Sequence, residues 1–142
     1  GELLEIDAYI GEEYLTTYTS DGLIATTPTG STAYSMSCGG PIISPNSKCL
    51  CITPISPHNL TLRPLIIPDD SQIKFVINSS RKGISLHFDS QIYPLETPIS
   101  IEISKADIEL RLIRMQNQTF FSAIRNKLMW GTNLRQRKSN DE

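Results

Sequence analysis

The chain has 142 residues, a length that suits one domain able to bury roughly two-thirds of its unfolded surface. With 39% apolar and 20% charged residues it reads as an ordinary globular sequence rather than a disordered one. Its 13 Lys and Arg against 15 Asp and Glu leave a net charge of -2, which argues against a general binder of nucleic acid or anionic membrane.

The chain opens Gly1-Glu2 and enters a strand pattern at once, which suggests a domain excised from a longer protein. Leu4, Ile6, Ala8 and Ile10 alternate with Glu5, Asp7 and Tyr9, so a half-buried strand is predicted. Gly11 supplies a turn and Glu13–Tyr18 a return strand. Further strands are predicted at Gly22–Thr26, Cys49–Thr53, Gln72–Asn78, Ile84–Asp89, Ile99–Ser104 and Ile108–Arg114, with shorter pieces at Leu65–Ile67 and Ile92–Leu95. Ile73, Phe75 and Ile77 share one face, as do Ile84, Leu86 and Phe88, and Ile99, Ile101 and Ile103. Ser79-Ser80-Arg81-Lys82-Gly83 has turn composition and is expected to join two strands as a hairpin. Two helices interrupt this rhythm: one at about Thr32–Cys38, capped by Ser31 or Thr32 and stopped by Gly39-Gly40-Pro41, and one at Phe120–Met129, with Phe121, Ile124 and Leu128 on one face. The fold class expected is mainly β, an antiparallel sandwich-like domain with these two short helices. No apolar run approaches the ~20 residues of a membrane span.

Cys38, Cys49 and Cys51 form no C-x-x-C pair, and they suit small buried hydrophobes in a reducing cytoplasm better than a disulfide framework or a zinc site. His58 and His87 lie in different elements, so no metal cluster is evident, and His87 falls on the less buried face of its strand.

The chemistry is concentrated in Asp21–Pro41. A strand that ends at a Gly-containing turn and opens a helix turns several backbone N–H groups toward one point. Thr29, Ser31, Thr32 and Ser35 add hydroxyls, Tyr34 adds a ring that could lie against a planar group, and Asp21 could accept from an amide or a ribose hydroxyl. Two readings stand at this point: a polar pocket for a nucleotide, or a connector helix whose hydroxyls satisfy its own backbone. Neither a Walker-type phosphate loop nor a G-x-G-x-x-G run is present.

The run Asp21-Gly22-Leu23-Ile24-Ala25-Thr26-Thr27-Pro28-Thr29-Gly30-Ser31-Thr32-Ala33-Tyr34, continuing through Gly39-Gly40-Pro41-Ile42, closely resembles the signature of NAD kinases. Thr53-Pro54-Ile55-Ser56-Pro57-His58-Asn59-Leu60 with Arg63-Pro64-Leu65, then Phe88-Asp89-Ser90-Gln91, then Phe121–Leu128 with Trp130, follow in the family's order. The chain thus looks like the C-terminal domain of a bacterial NAD kinase over residues 1–131, with a polar tail at 132–142 and the family's N-terminal α/β domain absent.

The resemblance implies that NAD is contacted by Asp21, Thr32, Ala33, Tyr34, Ser37, Ser56, His58 and Gln91. Asp21 would bind the nicotinamide end. Thr32 and Tyr34 would hold the adenosine portion, with Ala33 in close backbone contact. Ser56 would act chiefly through its carbonyl and His58 would flank the pocket. The family transfers the γ-phosphoryl of ATP or polyphosphate to the adenosine 2′-hydroxyl of NAD, with a divalent metal such as magnesium, in a homo-oligomer whose subunits share sites. The Gly-Gly-Asp-Gly motif, which carries the family's general base, and the Asn-Glu motif do not occur in this chain. By this resemblance the chain itself offers no catalytic residue and no metal ligand, and it is expected to be inactive alone. A lipid kinase of the diacylglycerol or sphingosine type and a non-enzymatic β-sandwich binding module are the alternatives; the unbroken T-P-T-G-S-T-A-Y run favours the NAD kinase.

Overall fold

The computed structural model describes residues 3–108, 113 and 119–131, in two compact units, Gly1–Asp107 and Ile108–Glu142. The strand expected over Ile108–Arg114 lies outside the described residues except at Ile108 and Ile113, and so does the tail at 132–142.

The first unit is built on β1 (Leu4–Ile10), β2 (Glu13–Ser20), β3 (Gly22–Thr26), β4 (Cys49–Ile55), β5 (Leu65–Pro68), β6 (Ile73–Ile77), β7 (Ser85–Phe88), β8 (Gln91–Pro94) and β9 (Ile99–Ile103). They form a four-stranded sheet in the order β2-β1-β6-β9, a three-stranded sheet β3-β4-β5 and a two-stranded sheet β7-β8, with every pairing antiparallel. This is the mainly β, sandwich-like architecture expected from the alternating pattern.

The alternation explains the packing. Leu4, Ile6 and Ala8 are buried while Glu5 faces water, as a period of two requires. In register, Ile6, Ala8 and Ile10 of β1 face Ile77, Phe75 and Ile73 of β6, which in turn face Ile99, Ile101 and Ile103 of β9. Leu50 and Ile52 of β4 and Ile67 of β5 join these residues and Tyr18 in one core, so the two larger sheets share it. Fully burying a side chain such as Ile52 or Ile73 contributes about 1.5–3 kcal/mol each. Gly11, at φ +60°, turns β1 into β2, and a bulge between Ala8 and Tyr9 shifts their register.

Two expectations need correction. Ser79–Gly83 does not close a hairpin. Both edges of β6 are taken by β1 and β9, and β7 pairs with β8 instead. The apolar triplets facing β6 from both sides outweigh a local turn preference, which reports a reversal of the chain and not its partner. The Ile84, Leu86, Phe88 face is also buried only at its root: Ile84 is in the core, Leu86 is half-buried and Phe88 is 69% exposed. His87 is exposed, as expected, with Nε2 3.0 Å from Ser85 Oγ.

The second unit contains α2 (Phe120–Leu128). Thr119 caps it: its Oγ1 accepts from the Ser122 amide at 3.1 Å, and Ser122 Oγ accepts from the Thr119 amide at 3.1 Å. Arg125 and Lys127 lie in its last turn, where the helix dipole favours cations. Of its expected apolar face, Ile124 and Leu128 are half-buried and Phe121 is exposed.

Candidate functional site

The Asp21–Pro41 segment starts at a corner. β2 ends in one sheet at Ser20 and β3 begins in another at Gly22, so Asp21 is the single residue by which the chain changes sheets. Ser20 is fully buried and its Oγ donates to the Gly22 carbonyl at 2.8 Å, which holds the bend. The Asp21 amide donates to the Ile55 carbonyl at 3.0 Å, so its backbone is held while the residue stays exposed. Ser56 follows β4 with φ +46°, a left-handed conformation that costs a non-glycine residue about 1–2 kcal/mol. Beyond it the His58 amide donates to the Thr19 carbonyl at 2.9 Å. Asp21, Ser56 and His58 are therefore gathered at one end of β2, β3 and β4, and all are exposed. The loop beyond is stapled by its own side chains: Asn59 Oδ1 accepts from the Thr61 amide at 3.0 Å, and Arg63 Nη1 donates to the Leu60 and Leu62 carbonyls at 2.5 and 2.8 Å.

At the other end of β3 the chain makes a 3₁₀ turn, Thr29–Thr32, and then α1 (Tyr34–Ser37). The expected helix is thus two short pieces joined at Ala33, with φ -99° and ψ -135°. Neither Ser31 nor Thr32 caps it, contrary to expectation. The Ser31 hydroxyl is buried, donating to the Pro28 carbonyl at 2.6 Å and accepting from the Ile43 amide at 3.0 Å, so it is committed to the fold. Ser35 is likewise buried, with its Oγ 2.9 Å from Thr53 Oγ1. The Ser31 and Ala33 amides bond the Pro28 and Gly30 carbonyls, so these two are not turned toward a ligand. Close approach explains the glycines: a Cβ at Gly30 would collide with Thr26 Oγ1, and one at Gly40 with Ser35 Oγ.

Of the named hydroxyls Thr29 and Thr32 stay exposed, and so do the candidate residues Ala33, Tyr34 and Ser37, with Tyr34 60% exposed. The hydroxyl of Ser31 serves the backbone, as the connector reading expects, that of Ser35 pairs with Thr53, and the exposed side chains form a polar and aromatic surface. Because Ser35 bonds Thr53, α1 lies over the middle of β4, two residues along from the Ile55 carbonyl that holds Asp21. Seven of the eight candidate residues are thereby carried by the β2–β3–β4 region. Gln91 is not: it opens β8 in the separate two-stranded sheet and accepts from Tyr93 Oη.

Thr53 was read as a strand residue and as the start of a family stretch but not as a site residue, yet it supports this surface; a lone hydroxyl in Leu50-Cys51-Ile52-Thr53-Pro54 is the signal that finds it. Cys51 is fully buried with Sγ 3.5 Å from Thr53 Oγ1, and burial, with Cys51 and Asp69 nearby, pushes the Cys49 thiol up from its ordinary value. Among the described residues no three His, Cys, Asp or Glu side chains gather as a metal ion would require.

The family described as ATP-NAD kinase C-terminal domain matches residues 1–115. Similar curated proteins include the NAD kinase of Flavobacterium johnsoniae, 44% identical over 133 residues, which are 94% of this chain and 45% of that protein. The NAD kinase of Porphyromonas gingivalis is 40% identical over 95% of this chain and 47% of its own length. The chain thus spans about half the length of the curated relatives it matches. Among solved structures, the yeast NADH kinase complexed with NADH superposes with a TM-score of 0.72 at 29% identity, over 93% of this chain and 41% of that one. An Archaeoglobus fulgidus NAD kinase in complex with ATP shares the fold, with a TM-score of 0.66 at 22% identity over 75% of this chain and 41% of that one.

Proposed function

The chain belongs to the ATP-NAD kinase C-terminal domain family, and on that premise we propose that it is the NAD-binding half of an NAD kinase. In the reaction proposed for the whole enzyme, the adenosine 2′-oxygen of NAD forms a bond to the γ-phosphorus of ATP or of polyphosphate. The bond from that phosphorus to its bridging oxygen breaks, and the 2′-proton passes to a base outside this chain. Phosphoryl transfer of this kind depends mainly on positioning and charge stabilisation. The contribution of this half is to hold the acceptor.

One observation carries the reading: Thr32, Ala33, Tyr34 and Ser37 are exposed on a segment that buried Ser31 and Ser35 fasten from beneath. Tyr34 offers a ring face to the adenine, and Thr32 a hydroxyl to the adenosine portion. Asp21 accepts from the nicotinamide end, beside the Ser56 carbonyl and His58. Gln91 stands on another sheet, and its part in the same site is proposed through assembly with a second copy. The yeast relative's complex with NADH supports a dinucleotide as the ligand class. The divalent metal expected for this chemistry finds no ligand cluster among the described residues and is proposed to travel with the phosphoryl donor.

The test is NAD titration and NADP formation by the natural gene product with ATP and magnesium. Tyr34→Ala is expected to weaken NAD binding roughly tenfold, the order of one base–aromatic stack. Undiminished NAD affinity in that variant, or no NADP from the wild type, would reject the proposal.

A further inference from the structure

We propose that Ser35 and Thr53 are positioning residues that set the orientation of the NAD-binding surface through their shared buried hydrogen bond. The inference rests on the reading of Thr32, Tyr34 and Ser37 as an NAD surface. It assigns a role to two side chains that cannot touch the ligand, since Ser35 is 1% and Thr53 0% exposed.

α1 is four residues long, one turn, and a helix that short has no independent stability. Its place over the sheet must come from contacts outside itself. The side-chain hydrogen bond that joins it to β4 is Ser35 Oγ to Thr53 Oγ1 at 2.9 Å, across 18 positions of sequence. The Gly40 amide reinforces it by donating to the Ser35 carbonyl at 2.8 Å, and Cys51 Sγ fills the other side of the Thr53 hydroxyl at 3.5 Å. Tyr34 and Ser37 are three apart, so on one turn they share an outward face while Ser35 points inward. A small rotation of α1 about its axis would therefore move both outward groups sideways while leaving the sheet intact. Replacing such a pair by apolar groups of the same shape is close to neutral for stability, so what the pair supplies is a single orientation.

In the natural gene product, Thr53→Val keeps the shape and removes the hydroxyl, Thr53→Ser keeps the hydroxyl, and Ser35→Ala removes the partner. Loss of one hydrogen bond's worth of organisation is expected to raise KM for NAD about threefold to tenfold in Thr53→Val and Ser35→Ala. KM for ATP should stay unchanged, Thr53→Ser should restore the wild-type value, and the double variant should be no worse than either single one. An unchanged KM for NAD in both single variants overturns the proposal. So does a joint rise of KM for NAD and ATP, or a Thr53→Ser enzyme as impaired as Thr53→Val. Should Thr53→Val fail to fold, Ser35→Ala, which deletes one atom, decides alone. Tyr34→Ala in the same series separates the two levels: an unchanged KM for NAD there rejects the NAD surface itself. A raised KM there beside unchanged values in the hydroxyl variants rejects only the positioning role.

Discussion

Tyr18 shows how the core couples to protonation. It is 2% exposed, and burial, with Cys51 nearby adding to it, pushes its phenol above the ordinary value of 10.0. Below about pH 10 the phenol is neutral in both folded and unfolded chains, and its contribution is fully present. As pH rises further, the unfolded chain sheds this proton before the folded one does, and the contribution is lost as pH climbs through the folded value. Thermal unfolding of the wild type is therefore expected to lose stability more steeply above about pH 10 than that of Tyr18→Phe; parallel alkaline limbs would contradict this. The buried serines show a different coupling. Ser31 looked like a pocket hydroxyl because Ser beside Gly in a turn suits a ligand as well as a backbone. Only the position of Ile43, twelve residues on, decides that its lone pair is already taken.

The strand–3₁₀–helix segment stands or falls on such local commitments. Ser31→Ala would leave the Ile43 amide buried without its partner, a loss of about 1–3 kcal/mol in thermal or denaturant unfolding. An unchanged midpoint would show that the amide finds another acceptor. Gly40→Ala should destabilise the fold by about 1–3 kcal/mol, because its Cβ would strike Ser35 Oγ and lie 2.7 Å from the Ser35 carbonyl oxygen; wild-type stability there would mean the loop gives way freely. The strands themselves were legible in the sequence because a half-buried strand writes its burial as alternation. Leu4, Ile6 and Ala8, and Ile73, Phe75 and Ile77, are buried as their spacing predicts. The local partner was legible too, since the return strand after Gly11 pairs with β1 as β2; the distant partners were not. Ser79–Gly83 reads as a hairpin turn, but β6 pairs with β1, where Phe75 faces Ala8 far earlier in the chain, and with β9; such non-local choices are made by whole faces and leave no mark in a five-residue window. Of the candidate site, Thr32, Ala33, Tyr34 and Ser37 were named from the signature, whereas the support of their segment on Thr53 needed the fold.

For the molecule as a whole, family membership and the β architecture are consistent with one another: the chain carries the family's C-terminal domain on a core that its two larger sheets share, but no Gly-Gly-Asp-Gly segment. The purified 142-residue chain is accordingly expected to fold yet to form no NADP with ATP and magnesium; measurable NADP would contradict the division of labour proposed between the two halves. The most direct measurement concerns the corner residue. Asp21 is exposed, and the hydrogen bond that its backbone makes to Ile55 survives substitution, so Asp21→Asn should leave the melting temperature in place. Loss of a charged acceptor typically costs about 1.5–3 kcal/mol, so the apparent NAD affinity of the natural gene product should fall roughly tenfold to a hundredfold. That fall, at an unchanged melting temperature, is the expected result; an NAD affinity equal to that of the wild type would contradict the assignment of this surface to NAD.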